Sequence, residues 1–173
     1  MLDYLVLYQS ETGNTQKVAA TIFSHLPGNS KDLIDITTDK TIPEAKIYFI
    51  GFCVHQGTCS IAVSDFLESL SDKQIALFGT CGMCEDVDYY AQIEKRVSAW
   101  IESDNKYLGT FLCQGKMTQL VRQKYEHMKT TENASQINKW LQNFDAALPH
   151  PDSLDMEHAK VFVEKTLKKC NMQ

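Results

Sequence analysis

Nowhere does this chain of 173 residues assemble an apolar run near the roughly 20 residues a helix needs to span a bilayer, and no basic segment precedes a signal-like apolar core. Those absences argue against a membrane span and a secretory leader, and they predict a cytosolic protein. Cations are scarce too: 17 Lys and Arg stand against 22 Asp and Glu, a formal net charge of −5 with no clustered set to neutralise nucleic-acid phosphates. A mildly acidic surface favours solubility instead. Internal repeats, low-complexity tracts and domain-dividing linkers are missing. So are a Ser-His-Asp set, a catalytic carboxylate pair and any metal-ligand spacing among His25, His127, His150 and His158. What remains is 43% hydrophobic content, enough for a sizeable core in one domain spanning residues 1–173.

Short apolar, β-branched or aromatic runs recur at 3–8 (DYLVLY), 32–36 (DLIDI), 46–52 (KIYFIGF), 74–79 (QIALFG) and 107–113 (YLGTFLC), each the length of a buried strand. Helical spacing falls between them. Val18, Ile22, Phe23 and Leu26 share one face, as do Phe66, Leu67 and Leu70, and Ile93, Val97, Trp100 and Ile101. Strands alternating with helices predict parallel βαβ units covered on both faces, which suits the apolar third and fourth runs. The link TTDKTIPEA, between the second and third runs, is too polar and short for a helix. Beyond residue 115 the pattern is helical. Met117, Leu120, Val121, Tyr125 and Met128 form one stripe, Ile137, Trp140, Leu141 and Phe144 a second, and Ala159, Val163, Leu167 and Cys170 a third. PHPDS at 149–153 separates the last two helices and offers Asp152 or Ser153 as a cap. The expected architecture is α/β: a five-stranded parallel sheet with helices on both faces (residues 1–115) and a helical C-terminal extension (116–173).

Open parallel sheets bind ligands beyond the carboxyl ends of their strands, near the point where strand order reverses. That rule selects the loops at 9–15, 53–60 and 80–90. The first, QSETGNT, is almost all hydroxyl, amide or glycine and opens a helix. Helix-terminal N–H groups and Ser/Thr hydroxyls can cradle an anion without a basic residue, and Gly13 permits close approach of the backbone. A plain helix cap needs only one such residue. Two rival phosphate motifs fail: GTFLCQGKM has the wrong spacing for a Walker loop and no hydroxyl after Lys116, and no cysteine precedes an arginine at phosphatase spacing.

The hexapeptide SETGNT resembles the phosphate-binding loop of the flavodoxin family, in which an S/T-x-T-G-x-T segment links the first strand to the first helix. The likeness runs from residue 2 to about residue 113, through the GF…G loop after the third run and the FGTCG loop after the fourth. The segments GF.V..GT, LFGT.G, FLCQGKM and HPDS.D are similar to those of a flavodoxin-like subgroup that includes the companion protein of a gut-bacterial bilirubin reductase. The resemblance implies a flavodoxin-like fold holding FMN, with Ser10, Glu11, Thr12, Gly13, Asn14 and Thr15 at the phosphate. It also implies Phe52, Cys53, Val54, His55 and Gly57 from the second loop, and Thr80, Cys81, Gly82, Met83, Cys84 and Tyr89 from the third, about the ring. Main-chain groups of residues 80–83 and Gly57 are the expected partners of its polar edge. Cys53 and Cys84 stand where the family commonly places aromatics. His55, Met83, Tyr89 and Tyr90 are the remaining stacking candidates, and the tyrosines read equally well as helix-packing residues.

Two functions follow from these residues. The first is an FMN-holding electron carrier that needs no catalytic acid or nucleophile and serves a redox partner, either a reductase or a flavin-dependent acceptor enzyme. The second is an FMN-free thiol or metal protein on the same fold, suggested by the six cysteines. In a cytosolic chain these are reduced thiols, and Cys53, Cys59, Cys81, Cys84 and Cys113 fall at or past the ends of the third to fifth runs. They read as small packing residues, or Cys81 and Cys84 form a C-x-x-C dithiol or, with Cys53 or Cys59, part of a metal site.

Overall fold

The computed structural model describes every residue except 39, 84, 85, 172 and 173, and the backbone alone of residue 171. The first run forms β1 (Leu2–Tyr8), and the hydroxyl-rich loop leads into α1 (Asn14–His25). β2 (Lys31–Asp35) and β3 (Ala45–Cys53) follow, then α2 (Ile61–Glu68), β4 (Gln74–Cys81), α3 (Val87–Ser98) and β5 (Lys106–Gln114). No helix joins β2 to β3 among the described residues, as the polar link predicts. The chain ends in α4 (Gln119–Met128), α5 (Ala134–Ala147) and α6 (Ser153–Asn171). The sheet is parallel throughout with order β2-β1-β3-β4-β5. Its order reverses between β1 and β3, which sets the loops following those two strands side by side.

Two cores cover the two sheet faces, because successive residues of a strand point to opposite sides. Leu5, Leu7, Tyr48, Ile50, Phe52, Ile75 and Leu77 meet Val63 and Leu67 of α2 and Ile93 and Val97 of α3. Val6, Phe49, Ala76 and Phe78 meet Val18, Ala19 and Ile22 of α1 and Ala159 and Val163 of α6. Gly51 and Gly79 let these faces close up: a Cβ at Gly51 would collide with the ring of Phe78, and one at Gly79 would lie 2.9 Å from that of Phe52. No described helix is long and apolar enough to cross a membrane.

The C-terminal extension departs from the sequence pattern in one place. The stripe from Met117 to Met128 does not form a buried face: Met117 precedes α4, Leu120 is 74% exposed and Met128 44%. α4 packs on α5 through the Tyr125 and Trp140 rings, with centroids 5.3 Å apart, and through Arg122, which pairs with Asp145 and with Glu126 of α4 itself. Trp100 likewise lies beyond the end of α3 and is exposed. The PHPDS segment behaves as its composition demands. Asp152 Oδ1 accepts from the Leu154 and Asp155 N–H groups at 2.8 and 3.0 Å, capping α6.

Candidate functional site at the switch point

The loop after β1 is held by its own polar groups. The Gln9 N–H donates to the Gly51 carbonyl (3.0 Å), tying the loop to β3, and Gly13 adopts φ +82° to turn the chain into α1. Nothing lies within 4 Å of a Cβ built at Gly13, so the position demands glycine for its backbone rather than for room. Asn14, nearly buried, donates from Nδ2 to Thr12 Oγ1 and to the Lys116 carbonyl, both at 2.9 Å. Thr15, fully buried, has its hydroxyl 2.9 Å from that of Thr80 at the end of β4. Ser10 Oγ is buried with no hydrogen-bond partner. The first-turn N–H groups of α1 have no intrahelical acceptor and open beside it.

The second loop closes as a tight hairpin. His55 and Thr58 exchange both backbone hydrogen bonds across Gln56 (φ +51°) and Gly57 (φ +81°), the twin left-handed residues of a type I′ turn. The Gly57 carbonyl accepts from Arg96 Nη1 at 3.3 Å, so α3 holds the turn in place. The third loop leaves β4 at Cys81, whose thiol donates to the carbonyls of Met83 and Cys113 at 3.8 Å. A fourth segment completes the surroundings: the Gly115 N–H donates to the Cys81 carbonyl at 2.8 Å, carrying Lys116, Met117 and Thr118 across the carboxyl end of the sheet.

These segments enclose a groove of about 300 Å³, lined by Glu11, Thr12, Asn14, Cys53, Val54, His55, Thr80, Cys81 and Gly82 on one part and by Gly115, Lys116, Met117, Thr118 and Val121 on the other. A second cavity of about 230 Å³ adjoins it, with Thr12, Asn14 and Lys116 common to both. Its remaining lining is Gly13, Lys17 and residues 148–151. A long groove joined at the hydroxyl-rich loop to a compact, polar one suits an extended ligand with an anionic end.

Most of the residues expected at the site line these two spaces, and several do not. Ser10 lines neither cavity, Phe52 is fully buried in the core, Tyr89 packs half-buried against that core, and Thr15 faces Thr80. Met83 is exposed and Gly57 is buried beneath its turn; neither lines the groove. Cys84 lies outside the described residues. None of the groove's lining side chains is Phe, Tyr or Trp. The wall from Gly115 to Val121 escaped the sequence reading, although FLCQGKM carried the resemblance. Its lysine was weighed only against the Walker spacing, and no local signal connects it to a loop about a hundred residues away.

Among the described residues the cysteines do not form one cluster. Cys59 and Cys81 belong to the core under α2 and α3, whereas Cys113 belongs to the opposite core, because alternate strand residues face opposite sides. Burial, and then the nearby Glu11 carboxylate, push the Cys53 thiol up; burial pushes Cys59 up. Among the described residues, the group able to converge on a metal contains no cysteine.

A parallel sheet of order 2-1-3-4-5, with a hydroxyl-rich loop opening the first helix at its switch point, defines a flavodoxin-like α/β protein. The sequence profile described as Flavodoxin domain matches residues 5–164. The chain belongs to the flavodoxin family. It is 35% identical to the flavodoxin-like domain-containing protein BilS of Clostridioides difficile, over 97% of this chain and 98% of that one. Among solved structures it superposes on a short-chain flavodoxin associated with a non-canonical PDU bacterial microcompartment with a TM-score of 0.58 at 17% identity, covering 99% of this chain and 100% of that one. The flavodoxin of Streptococcus pneumonia TIGR4 gives a TM-score of 0.58 at 14% identity, covering 96% and 98%.

Proposed function

We propose that the protein binds FMN across the two joined cavities and passes electrons to a protein partner. The observation that carries this reading is the buried, unpartnered Ser10 Oγ just ahead of α1, in a loop whose Thr12, Asn14 and Thr15 side chains are matched inside the protein. A buried hydroxyl without a partner costs about 1–3 kcal/mol, and an anion at that helix terminus relieves the cost. Ser10, Thr12 and the α1 N–H groups would hold the phosphate, with Gly13 keeping the backbone accessible. Asn14 and Thr15 act on the loop rather than on the ligand: they fasten it to Lys116 and Thr80. Residues 80–82 and 115–118 line the groove where the polar edge of a flavin would lie.

Bound flavin supplies reversible electron exchange, and the chain supplies binding, potential and an exposed approach. Ile61, Val87 and Leu120, each more than half exposed, begin the helices that follow β3, β4 and β5. They set apolar surface around the same end of the sheet, where a reductase or flavin-dependent acceptor enzyme could dock. The thiol alternative finds less support in its metal form, because the described group able to converge on a metal holds no cysteine. The test is titration of the purified protein with FMN, followed by quenching of flavin fluorescence and by the visible spectrum. Absence of binding at micromolar protein overturns the proposal. Slow reduction by every flavodoxin reductase tried, with rapid turnover of a small substrate, would replace the carrier reading with an enzymatic one.

A further inference from the structure

The hydroxyl-rich loop carries no cation, only the Glu11 carboxylate, but the wall facing it does. The smaller cavity is bounded by Thr12, Gly13 and Asn14 on one part and by Lys17, Lys116 and His150 on the other. His150 comes from the PHPDS segment, more than 130 residues beyond the loop, and three contacts hold it there. Its carbonyl accepts from the Lys116 N–H at 2.9 Å, its N–H donates to the Ala147 carbonyl at 3.0 Å, and its Nδ1 lies 2.7 Å from Asp155 Oδ2. Asp155 is 2% exposed and also accepts from the Asp152 N–H at 2.7 Å. Lys17 Nζ donates to the neighbouring Pro151 carbonyl at 2.5 Å.

We infer that His150, oriented by the buried Asp155 carboxylate, is a proton-bearing contact to the phosphate of the bound flavin nucleotide, supplied by the C-terminal extension to a loop that has no cation of its own. The inference rests on the FMN reading above. A carboxylate only accepts, so it fixes the proton on Nδ1 and leaves Nε2 as the ring's second nitrogen. Nε2 has no hydrogen-bond partner among the described residues. In the neutral ring Nε2 is an acceptor and cannot bond a phosphate oxygen; in the imidazolium it is a charge-assisted donor. Phosphate binding therefore favours the protonated ring, and a proton is taken up with the nucleotide. The charged groups facing His150 are Asp155 and Asp152 at the start of α6, Lys17 of α1 and Lys116 after β5. A bound phosphate would add its negative charge to that of the two carboxylates. Toward the phosphate Asp155 is a positioning residue, acting through the imidazole, while it also accepts from the Asp152 N–H.

The experiment compares FMN with riboflavin, which has the same ring and no phosphate, and measures proton uptake by calorimetry in buffers of different ionisation heat. Expected for His150→Gln is a loss of FMN affinity of roughly tenfold or more, unchanged riboflavin affinity and no proton uptake. Asp155→Asn should reduce uptake as well, and thermal melting of each variant checks that it is folded. If His150→Gln binds FMN within about twofold of the parent with the same proton uptake, the inference fails while FMN binding stands. If the parent binds neither flavin, the FMN reading and this one fall together.

Discussion

The hydroxyls of Thr15 and Thr80 lie 2.9 Å apart with both side chains buried, joining the first turn of α1 to the last residues of β4. Each is the other's partner across the switch point, so the pair fixes how closely the anion-binding loop approaches the third loop. Removing one hydroxyl strands the other in a dry site. Thr15→Val should destabilise the protein by about 1–3 kcal/mol, and so should Thr80→Val, whereas the double variant should recover much of that loss because no buried donor is left over. Urea unfolding of the three variants measures it. Strict additivity would mean that the two hydroxyls are not coupled.

Ser10 gives the opposite pattern. Its Oγ is buried without a partner, so Ser10→Ala should leave the ligand-free protein as stable as the parent or more stable by about 1 kcal/mol. The same change should weaken FMN binding roughly tenfold if the hydroxyl bonds the phosphate. Opposite signs in unfolding and titration identify a group kept for its ligand. Equal affinity in the variant would remove Ser10 from the site.

Thr12 separates the two roles of the loop. Its Oγ1 accepts from Asn14 Nδ2 while the residue lines both cavities. Thr12→Ser keeps that acceptor and should bind FMN nearly as the parent does. Thr12→Ala should lose about 1.5–3 kcal/mol of FMN binding energy. Parallel titrations decide, and equal losses in both variants would point to the methyl group rather than the hydroxyl.

Sheet and loop were legible from the chain because their signals are local. β3 and β4 each coincide with a nearly unbroken apolar run, and a strand buried on both faces needs little else. The α1 loop is legible for the same reason, since residues 9–15 carry their hydrogen-bonding chemistry in sequence. The wall from Gly115 to Val121 and the placement of His150 depend on where β5 and α6 pack, which no residue near them encodes alone. Leu120 shows the limit of periodicity: its spacing fits a buried stripe, but α4 turns its Tyr125 ring to α5 and the Leu120 side chain stays in solvent.

Alkaline pH should weaken the fold through the buried thiols. Burial pushes Cys59 up, and burial with the Glu11 carboxylate pushes Cys53 up, so both hold their protons in the folded protein after the unfolded chain has released them. Their contribution is fully present below the unfolded thiol pKa and is lost as pH rises through the interval to the folded value. Tyr107 adds to this at higher pH, raised by burial and by its hydrogen bond to Glu94 at 2.5 Å. The urea midpoint should fall between about pH 8 and about pH 10, and Cys59→Ala should reduce the fall. A midpoint independent of pH over that range would show that the thiols ionise alike in both states.

The groove lacks an aromatic side chain, and His55 is the place to supply one. It sits exposed at the start of the type I′ turn, lines the groove and takes no part in either core, so enlarging it should cost the fold little. Aromatic stacking contributes about 0.5–1.5 kcal/mol beyond the area it covers. His55→Tyr and His55→Trp should therefore bind FMN about twofold to tenfold more tightly than the parent. A π-face laid on the ring also disfavours the extra negative charge of the reduced flavin, so tighter binding of the oxidised form should come with a lower midpoint potential. Titration with FMN gives the first quantity, and reductive titration against a dye of known potential gives the second. Tighter binding with an unchanged potential would mean the new ring covers the flavin edge rather than its face. No change in either would place position 55 outside the flavin contact.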